Sequence, residues 1–343
     1  MPTPINISAS RGASILGLSS WKTPVETWLE IMESRDPGFC EKNNYELPVF
    51  EYNAAMRWGH AFESAIIELA ENRQDCRIFD REVLYKNGLF MTCHIDGQYH
   101  SRLLHEGKTT SHFYFRDNFG EPGTDQVPVE YQIQCQHQMI CTGAEKVILS
   151  VLVFPKRVEE WEEMGWYPVD EYKNNKWSLY TYGQVGSIDH GSGDFIDPKD
   201  WARILDQMGY FHQYEITAHA ELQDLMIKHY TDFWNNNVLA GIPPEPKTYN
   251  DIKRLVREPV GTIIADENIE RLMSEYKHIK SEIGQGGGLH KRIDQIKIEV
   301  MQYMTKQTGV IDDDSQDKFI LRNQAGKKIA SYSKNKNGSY VFR

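Results

Sequence analysis

Between Ile95 and Thr109 the chain reads I-D-G-Q-Y-H-S-R-L-L-H-E-G-K-T and holds Asp96, Glu106 and Lys108. Side chains on a strand alternate between its faces, so if Leu103 to Thr109 is extended, Glu106 and Lys108 share one face. A turn at Asp96-Gly97 lets the preceding stretch, Phe90 to Ile95, lie antiparallel beside that strand. Two carboxylates at adjacent strand ends, with an ammonium beside them, make a hard-oxygen site suited to Mg2+. The lysine is then close enough to assist an attacking water, and the chemistry implied is phosphodiester hydrolysis. A surface hairpin with ordinary charges is the alternative that these three residues leave open.

Three further stretches carry residues of the same kind. From Asn53 to Arg73, Trp58, Phe62, Ile66 and Leu69 recur at helical spacing, and Glu63 borders that stripe. Gly59, one turn earlier, would allow close backbone approach. A boundary glutamate on an amphipathic helix is the plainer reading of Glu63. From Pro128 to Gly143, glutamines alternate at 132, 134, 136 and 138. Length, Pro128 and Gly143 favour a helix, on which residues two apart point away from each other. Only one pair can face the site, either Gln134 with Gln138 or Gln132 with Gln136. At the start, Ser8 or Ser10 caps a short helix carrying Ala13, Ile15 and Leu16. Its N-terminus, the hydroxyls and Arg11 suit a phosphate, with a plain cap as the alternative.

The elements that must position these residues follow from periodicity and breakers. Trp21 to Glu33 is a helix opened by Thr23-Pro24, and Arg35 to Tyr52 is a loop. Ile78 to Tyr85 and Leu89 to Ile95, separated by Lys86-Asn87-Gly88, join Arg102 to Thr109 as three sequential strands. Ser111 to Gln126 is a polar loop over the site. Its Tyr114, Phe115, Arg116 and Phe119 either stack on bases or pin the loop to the domain. Val147 to Phe154 is a buried strand. Beyond Pro155, Trp161, Trp166, Tyr167 and Trp177 lie in short strands, and Trp201 to Trp234 is helical. Gly241-Ile-Pro-Pro ends a first domain, 1–240, with its core at 5–155. The remainder, 241–343, holds two helices (Asp266 to Glu282 and Leu289 to Thr305) and a terminal hairpin turning at Gln324-Ala-Gly. The glycine-rich 284–288 segment lacks the strand and lysine of a phosphate loop and reads as a flexible connection.

Composition narrows the class. The chain has 343 residues, a formal net charge of -11 and five cysteines without C-x-x-C spacing. That spacing argues against a disulfide frame and against a four-cysteine iron–sulfur cluster, and fits reduced thiols in a cytoplasm. No apolar run approaches a membrane span, and the N-terminus lacks the basic-then-apolar pattern of a signal segment. The acidic balance counts against extensive coating of DNA by charge alone, while leaving room for a small basic channel.

The spacing Asp, then Glu-x-Lys, is similar to that of the PD-(D/E)xK nuclease superfamily. The order I-S-A-S-R, A-M-R-W-G-H-A-F-E, H-I-D-G, H-E-G-K, Y-Q-I-Q-C-Q-H-Q-M resembles the YqaJ-type viral recombinase family, which includes the lambda-type exonucleases. The resemblance covers about residues 5 to 155. It implies an α/β fold, a PD-(D/E)xK nuclease core with a mixed central sheet flanked by helices, plus a C-terminal helical and β-hairpin extension. By the same resemblance Asp96 and Glu106, with the Gly107 carbonyl between them, hold metal, and Glu63 holds a second ion. Lys108 orients or deprotonates the water, Gln134 helps position it, and Ser10 contacts a terminal 5′ phosphate. Two departures stand out. One member of the family has leucine where this chain has Gly107, which would loosen the strand. That member's phosphate-binding arginine upstream of the serine turn is missing here, leaving Arg11 or Arg57 to substitute. The resemblance thus implies an exonuclease using two Mg2+ ions, or Mn2+, on linear double-stranded DNA, 5′ to 3′, leaving 3′ single strands for recombination. Its implied partners are DNA ends, a single-strand annealing protein and copies of itself, in a closed homo-oligomer such as a trimeric ring. It implies a phage or prophage protein in a bacterial cytoplasm, with no membrane partner. A PD-(D/E)xK endonuclease or repair nuclease is the alternative within that chemistry, and a non-catalytic DNA-end-binding scaffold the alternative outside it.

Overall fold

A computed structural model of the chain describes residues 6–79, 84–87, 90–171, 176–181, 194–255, 260–282, 287–307, 309–311, 314–315, 318–337 and 339–343. In chain order, β1 (Ile7–Ser8) leads through a single 3-10 turn into α1 (Gly12–Ile15), then α2 (Pro24–Arg35), α3 (Phe39–Lys42) and α4 (Ala54–Gln74). Four strands follow, β2 (Leu84–Asn87), β3 (Met91–His94), β4 (Gly97–His100) and β5 (Leu103–Ser111), then α5 (His112–Asn118), α6 (Val129–Thr142) and β6 (Lys146–Phe154). Next come α7 (Val158–Glu163), β7 (Trp166–Glu171), β8 (Lys176–Thr181), β9 (Asp194–Ile196), α8 (Pro198–Gln207), β10 (Phe211–Thr217) and α9 (Ala220–Phe233). The rest is α10 (Tyr249–Leu255), β11 (Gly261–Ile264), α11 (Glu267–Glu282), α12 (Gly287–Lys306), β12 (Lys318–Arg322), β13 (Lys328–Lys334) and β14 (Tyr340–Phe342).

The described residues fall into two compact units, one of Asn6–Leu18 with Phe50–Tyr230, the other of Ser19–Val49 with Thr231–Arg343. The first is built on a mixed sheet in the order β10-β6-β5-β4, with β6 parallel to β5 and the outer pairs antiparallel. β6 explains the arrangement. Its Ile148, Leu152 and Phe154 pack into one core with Trp58, Phe62, Ile66 and Leu69 of α4, and with Ala202 and Leu205 of α8. Its Val147, Leu149, Val151 and Val153 pack into another with Cys135 and Met139 of α6. A strand covered on both faces needs apolar residues at every position, which is why Val147 to Phe154 does not alternate. The mixed α/β expectation is borne out: helices flank the sheet on both faces.

Several local expectations are corrected. The antiparallel neighbour of β5 is β4, not Phe90 to Ile95. β3 instead lies between β1 and β2 in a separate three-stranded sheet, so Asp96 sits where the chain crosses from one sheet to the other. Ser111 to Gln126 contains α5, capped by the Ser111 hydroxyl accepting from Tyr114 N at 3.3 Å. Phe115 stacks on His212 at 4.6 Å, and Phe119 packs on Tyr214 at 5.4 Å, so these aromatics pin the segment to the domain. Trp161 lies in α7, not a strand. Trp201 to Trp234 is not one helical stretch: α8 stops at Gly209 (φ 83°), and β10 then pairs with β6. β2 pairs antiparallel with β3 as the expected hairpin does, but Lys86 and Asn87 lie in the strand rather than in the turn. Gly88, part of the Ile78 to Tyr85 strand, the Trp177 side chain and part of the 284–288 connection lie outside what is described.

The second unit opens with α2, as expected, where Thr23 and Glu26 exchange hydrogen bonds in a capping box and Pro24 starts the first turn. Thr23 Oγ1 also donates to Asp251 Oδ1 at 2.6 Å, and Trp28 Nε1 donates to the Asn237 carbonyl at 3.0 Å. These ties, across more than two hundred residues of chain, put 19–49 with the C-terminal residues and cut across the division at 240. α11 and α12 pack on the sheet β11-β12-β13-β14 through a core that includes Leu272, Met301, Leu321 and Tyr332.

Candidate active site

A cleft of about 480 Å³ opens in the first unit where β1, α4, β5 and α6 meet. Its lining includes Ser8, Ser10, Glu63, Asp96, Glu106, Gly107, Lys108 and Gln134. Residues from motifs spread over more than a hundred positions thus share one cavity. A larger hollow of about 690 Å³ lies elsewhere on α4, around Glu68, Glu71 and Lys199. Those charges are spent on ion pairs with Arg203, Arg77 and one another, so that hollow offers no chemistry.

β5 supplies the centre. Glu106 and Lys108 are on one face, as the period of two requires, and the Lys108 ammonium bonds Glu106 Oε1 directly. Glu106 is only 2% exposed, yet both its oxygens are engaged. Oε1 also accepts from Gln134 Nε2 at 2.5 Å, and Oε2 accepts from Gln138 Nε2 at 2.6 Å. The helical geometry of α6 therefore selects Gln134 with Gln138. Gln132 turns away to the Asp125 carbonyl, and Gln136 to the Thr217 carbonyl at 2.8 Å.

Asp96 is held by the β5 backbone, its Oδ2 accepting from Gly107 N at 2.8 Å. Burial, then the charge of Glu106, pushes the Asp96 carboxyl up to about 7, although Lys108 and the Gly107 N–H pull the other way. Glu63 on α4 adds to the repulsion. Burial works to discharge Lys108, but Glu106 and Asp96 outweigh it and keep the ammonium charged. Its Nζ also lies 5.6 Å from the centre of the Tyr131 ring. Three carboxylates thus face one ammonium across the cleft, an excess of negative charge suited to a cation. Among the described residues, no three His, Cys, Asp or Glu side chains are grouped closely enough to hold an ion by themselves. Mg2+ does not require that, since it commonly uses one or two carboxylates and keeps several waters.

Gly107 does not loosen β5, which continues through it in register with Ser150 of β6. The glycine answers α4: a Cβ there would meet Ile66 Cγ2 at 3.2 Å and Asp96 Oδ2 at 3.5 Å. Gly59 has no such constraint, since a Cβ would find only Thr109 Oγ1 at 3.6 Å, an ordinary contact.

The substrate-binding candidates divide. Ser8 and Ser10 line the cleft with their hydroxyl oxygens 3.1 Å apart, and Arg11 Nη1 donates to Ser8 Oγ at 3.1 Å. Neither serine caps the helix by its side chain, and α1 is a single turn, too short for a dipole of consequence. Arg57 does not line the cleft. Its Nη2 reaches both oxygens of Glu162 at 2.9 Å, and Nη1 donates to the Tyr52 carbonyl at 3.1 Å. Sequence reasoning passed over His60 and His94, which also line the cavity. Each stands inside a motif already singled out, three residues before Glu63 and two before Asp96. Their place in G-H-A-F-E and H-I-D-G was the available signal.

The comparison that bears on identity is with protein families, and residues 4–145 match the YqaJ-like viral recombinase domain. The family resemblance drawn from the motifs holds over that stretch. No curated protein matches the chain. Among solved structures, an alkaline exonuclease (LHK-Exo) from Laribacter hongkongensis is similar at 14% identity and a TM-score of 0.42, covering 69% of this chain and 89% of that one. The same enzyme in complex with dAMP is similar at 16% identity and a TM-score of 0.41, with the same coverage of 69% and 89%. A phage-related exonuclease from Haemophilus somnus 129PT is similar at 13% identity and a TM-score of 0.39, covering 70% of this chain and 97% of that one.

Proposed function

We propose that this chain is a metal-dependent exonuclease that degrades linear double-stranded DNA from the 5′ end and leaves a 3′ single strand for recombination. The observation carrying the reading is the convergence of Asp96, Glu106, Lys108, Gln134 and Glu63 on one cleft, within the stretch matching the recombinase domain. Asp96 and Glu106, with the Gly107 carbonyl, would hold Mg2+ or Mn2+, and Glu63 a second ion. Two such ions, when bound, stabilise charge on the attacking and leaving oxygens of a phosphodiester.

The chain's own groups supply the rest. Lys108, kept as an ammonium, donates a hydrogen bond from Nζ and orients a water or a phosphate oxygen. It is better suited to that than to taking a proton. Gln134 holds Glu106 from the cleft side and limits its rotation. The Ser8 and Ser10 hydroxyls, backed by Arg11, offer donors for the phosphate at a DNA end. Direction and end preference rest on the family resemblance.

The test is cleavage of matched linear and covalently closed circular duplexes, with and without Mg2+. Loss of the linear form only, and only with Mg2+, is expected. Efficient cutting of the circle would replace the exonuclease with an endonuclease, and cleavage in excess chelator would remove the metal. A 5′-phosphorylated end should be degraded faster than a 5′-hydroxyl end. A closed homo-oligomer, a trimeric ring in the family pattern, would keep one strand threaded. Light scattering that returns a monomer would remove the ring and leave the chemistry standing.

A further inference from the structure

Gln138 stands behind the site rather than in it. It is fully buried, and it is not among the residues lining the cleft, whereas Gln134 and Lys108 are. Its Nε2 donates to Glu106 Oε2 at 2.6 Å and to the His94 carbonyl at 3.3 Å. Both partners are acceptors only, so the orientation of the amide is fixed by chemistry: turned over, it would set oxygen against oxygen. The cost of that orientation is visible. Gln138 Oε1 is buried with no hydrogen-bond partner among the described residues.

The two acceptors belong to different parts of the site. His94 ends β3, two residues before Asp96, and Glu106 is in the middle of β5. β3 and β5 lie in separate sheets, and the Asp96 segment meets β5 through the β4 ladder, which begins at Gly97 opposite His105, and through the bond from Gly107 N to Asp96 Oδ2. Those ties hold the backbone and Asp96; the Gln138 amide on α6 joins the Glu106 carboxylate itself to the end of β3. We propose that Gln138 is a positioning residue that holds the Glu106 carboxylate by its rear oxygen and ties it to the end of β3, which leads into Asp96. The front oxygen, Oε1, is then the one exchanged between Lys108, Gln134 and a divalent cation. The inference rests on the cation-binding part of the function proposed above.

The merely structural alternative is that Gln138 only satisfies a buried carboxylate. Gln136 supplies the control for it. That amide is also buried on α6, and it is more fully bonded: Nε2 donates to the Thr217 carbonyl at 2.8 Å, and Oε1 accepts from His219 N at 3.1 Å and Gln223 Nε2 at 2.9 Å. It faces away from the cleft. Gln138→Met and Gln136→Met each keep length and volume while deleting a buried amide donor, and Gln136→Met also removes the acceptor of His219 N and Gln223 Nε2. The full-length proteins are compared by melting temperature, by calorimetric titration with Ca2+, and by rates on linear duplex across Mg2+ concentrations. For Gln138→Met we expect Ca2+ affinity and kcat to fall by about 10- to 100-fold, with KM for DNA little changed. For Gln136→Met we expect a lower melting temperature and unchanged Ca2+ affinity.

If Gln138→Met does not fold, Gln138→Asn keeps a buried amide that is one methylene short of Glu106, and the same losses are expected. If both unfold, the role is stability and the proposal fails. It fails equally if Gln138→Met binds Ca2+ like the wild type, if Gln136→Met loses as much, or if the wild type binds no divalent cation. A wild type that binds Ca2+ and cuts nothing defeats the nuclease reading instead, and the Ca2+ comparison still decides the role of Gln138.

Discussion

Replacing Glu106 in two ways should separate folding from chemistry. Glu106→Ala removes the common acceptor of Lys108 Nζ, Gln134 Nε2 and Gln138 Nε2. Each amide donor stranded in a buried place costs about 1–3 kcal/mol, and an uncompensated ammonium costs more. Two features lower the sum. Lys108 keeps Asp96 as a counter-charge, and water reaches Gln134 and Lys108 through the cleft they line. A loss of roughly 3–6 kcal/mol remains, which is a large share of the stability of an ordinary protein. In melting temperature this is a fall of roughly 4–10 °C for a chain of this size. Glu106→Gln keeps the shape. Its oxygen can face Lys108 and Gln134 while its NH2 faces Gln138, whose partnerless Oε1 can turn to accept it. That turn gives up the long 3.3 Å bond to the His94 carbonyl and sets Oε1 near that oxygen, a modest cost at this distance. Loss of the ion pair is then offset in part by relief of the repulsion on Asp96, and we expect a shift of no more than about 3 °C. Both variants should be inactive. The assay pairs a thermal melt in chelator, followed by circular dichroism, with cleavage of linear duplex in Mg2+. An alanine variant that melts with the wild type would refute the hydrogen-bond accounting, and a glutamine variant that cuts normally would refute Glu106 as a ligand.

Three further outcomes follow from the same geometry. Gly107→Leu should destabilise by about 1–3 kcal/mol through overpacking against Ile66, whereas Gly107→Ala should be milder; equal melting temperatures for all three proteins would contradict this. In chelator, the raised Asp96 carboxyl makes the folded state bind more protons than the unfolded state, so stability should fall as pH rises from about 4 through 7. Asp96→Asn should flatten that slope, and Mg2+ should stabilise the wild type most at the alkaline end; parallel pH–melting curves for wild type and variant would count against it. Arg57→Ala should lower stability by about 1 kcal/mol or less, because its pair with Glu162 is partly solvated, and should leave any preference for a 5′ phosphate intact. Arg11→Ala should reduce that preference, and the reverse pattern would reassign the role.

The site was more legible than the topology around it. Glu106 and Lys108 could be placed together because a strand obliges alternate residues to share a face, and the helical period left two glutamine pairs, of which α6 uses one. What escaped depends on partners distant in sequence. Asp-Gly is a strong local turn signal, yet the Asp96 carboxylate is bound to the Gly107 N–H, and the hairpin forms at Ser101-Arg102 instead. β10 lay hidden between two helices because its pairing is with β6, some sixty residues earlier. Gly209 and the spacing of Tyr214 and Ile216 were the local traces of it. The meaning of Gly107 could not be read at all without α4, since only the position of Ile66 gives the missing side chain a cause.

Asp96 at the crossing between two sheets also bears on how the protein is made. A chain emerging from the ribosome carries its site residues early, the last of them Gln138. β5, however, has no parallel neighbour until β6 is complete at Phe154, and β6 lacks its antiparallel neighbour on the other side until Thr217. Glu106, Gln138 and the Asp96 segment are aligned only when both sheets and α6 are in place. Partial products of translation therefore hold every reactive residue and no assembled cleft. Under the proposed function, cleavage should appear abruptly with chain length, past residue 217, and products that stop short of it should leave DNA intact.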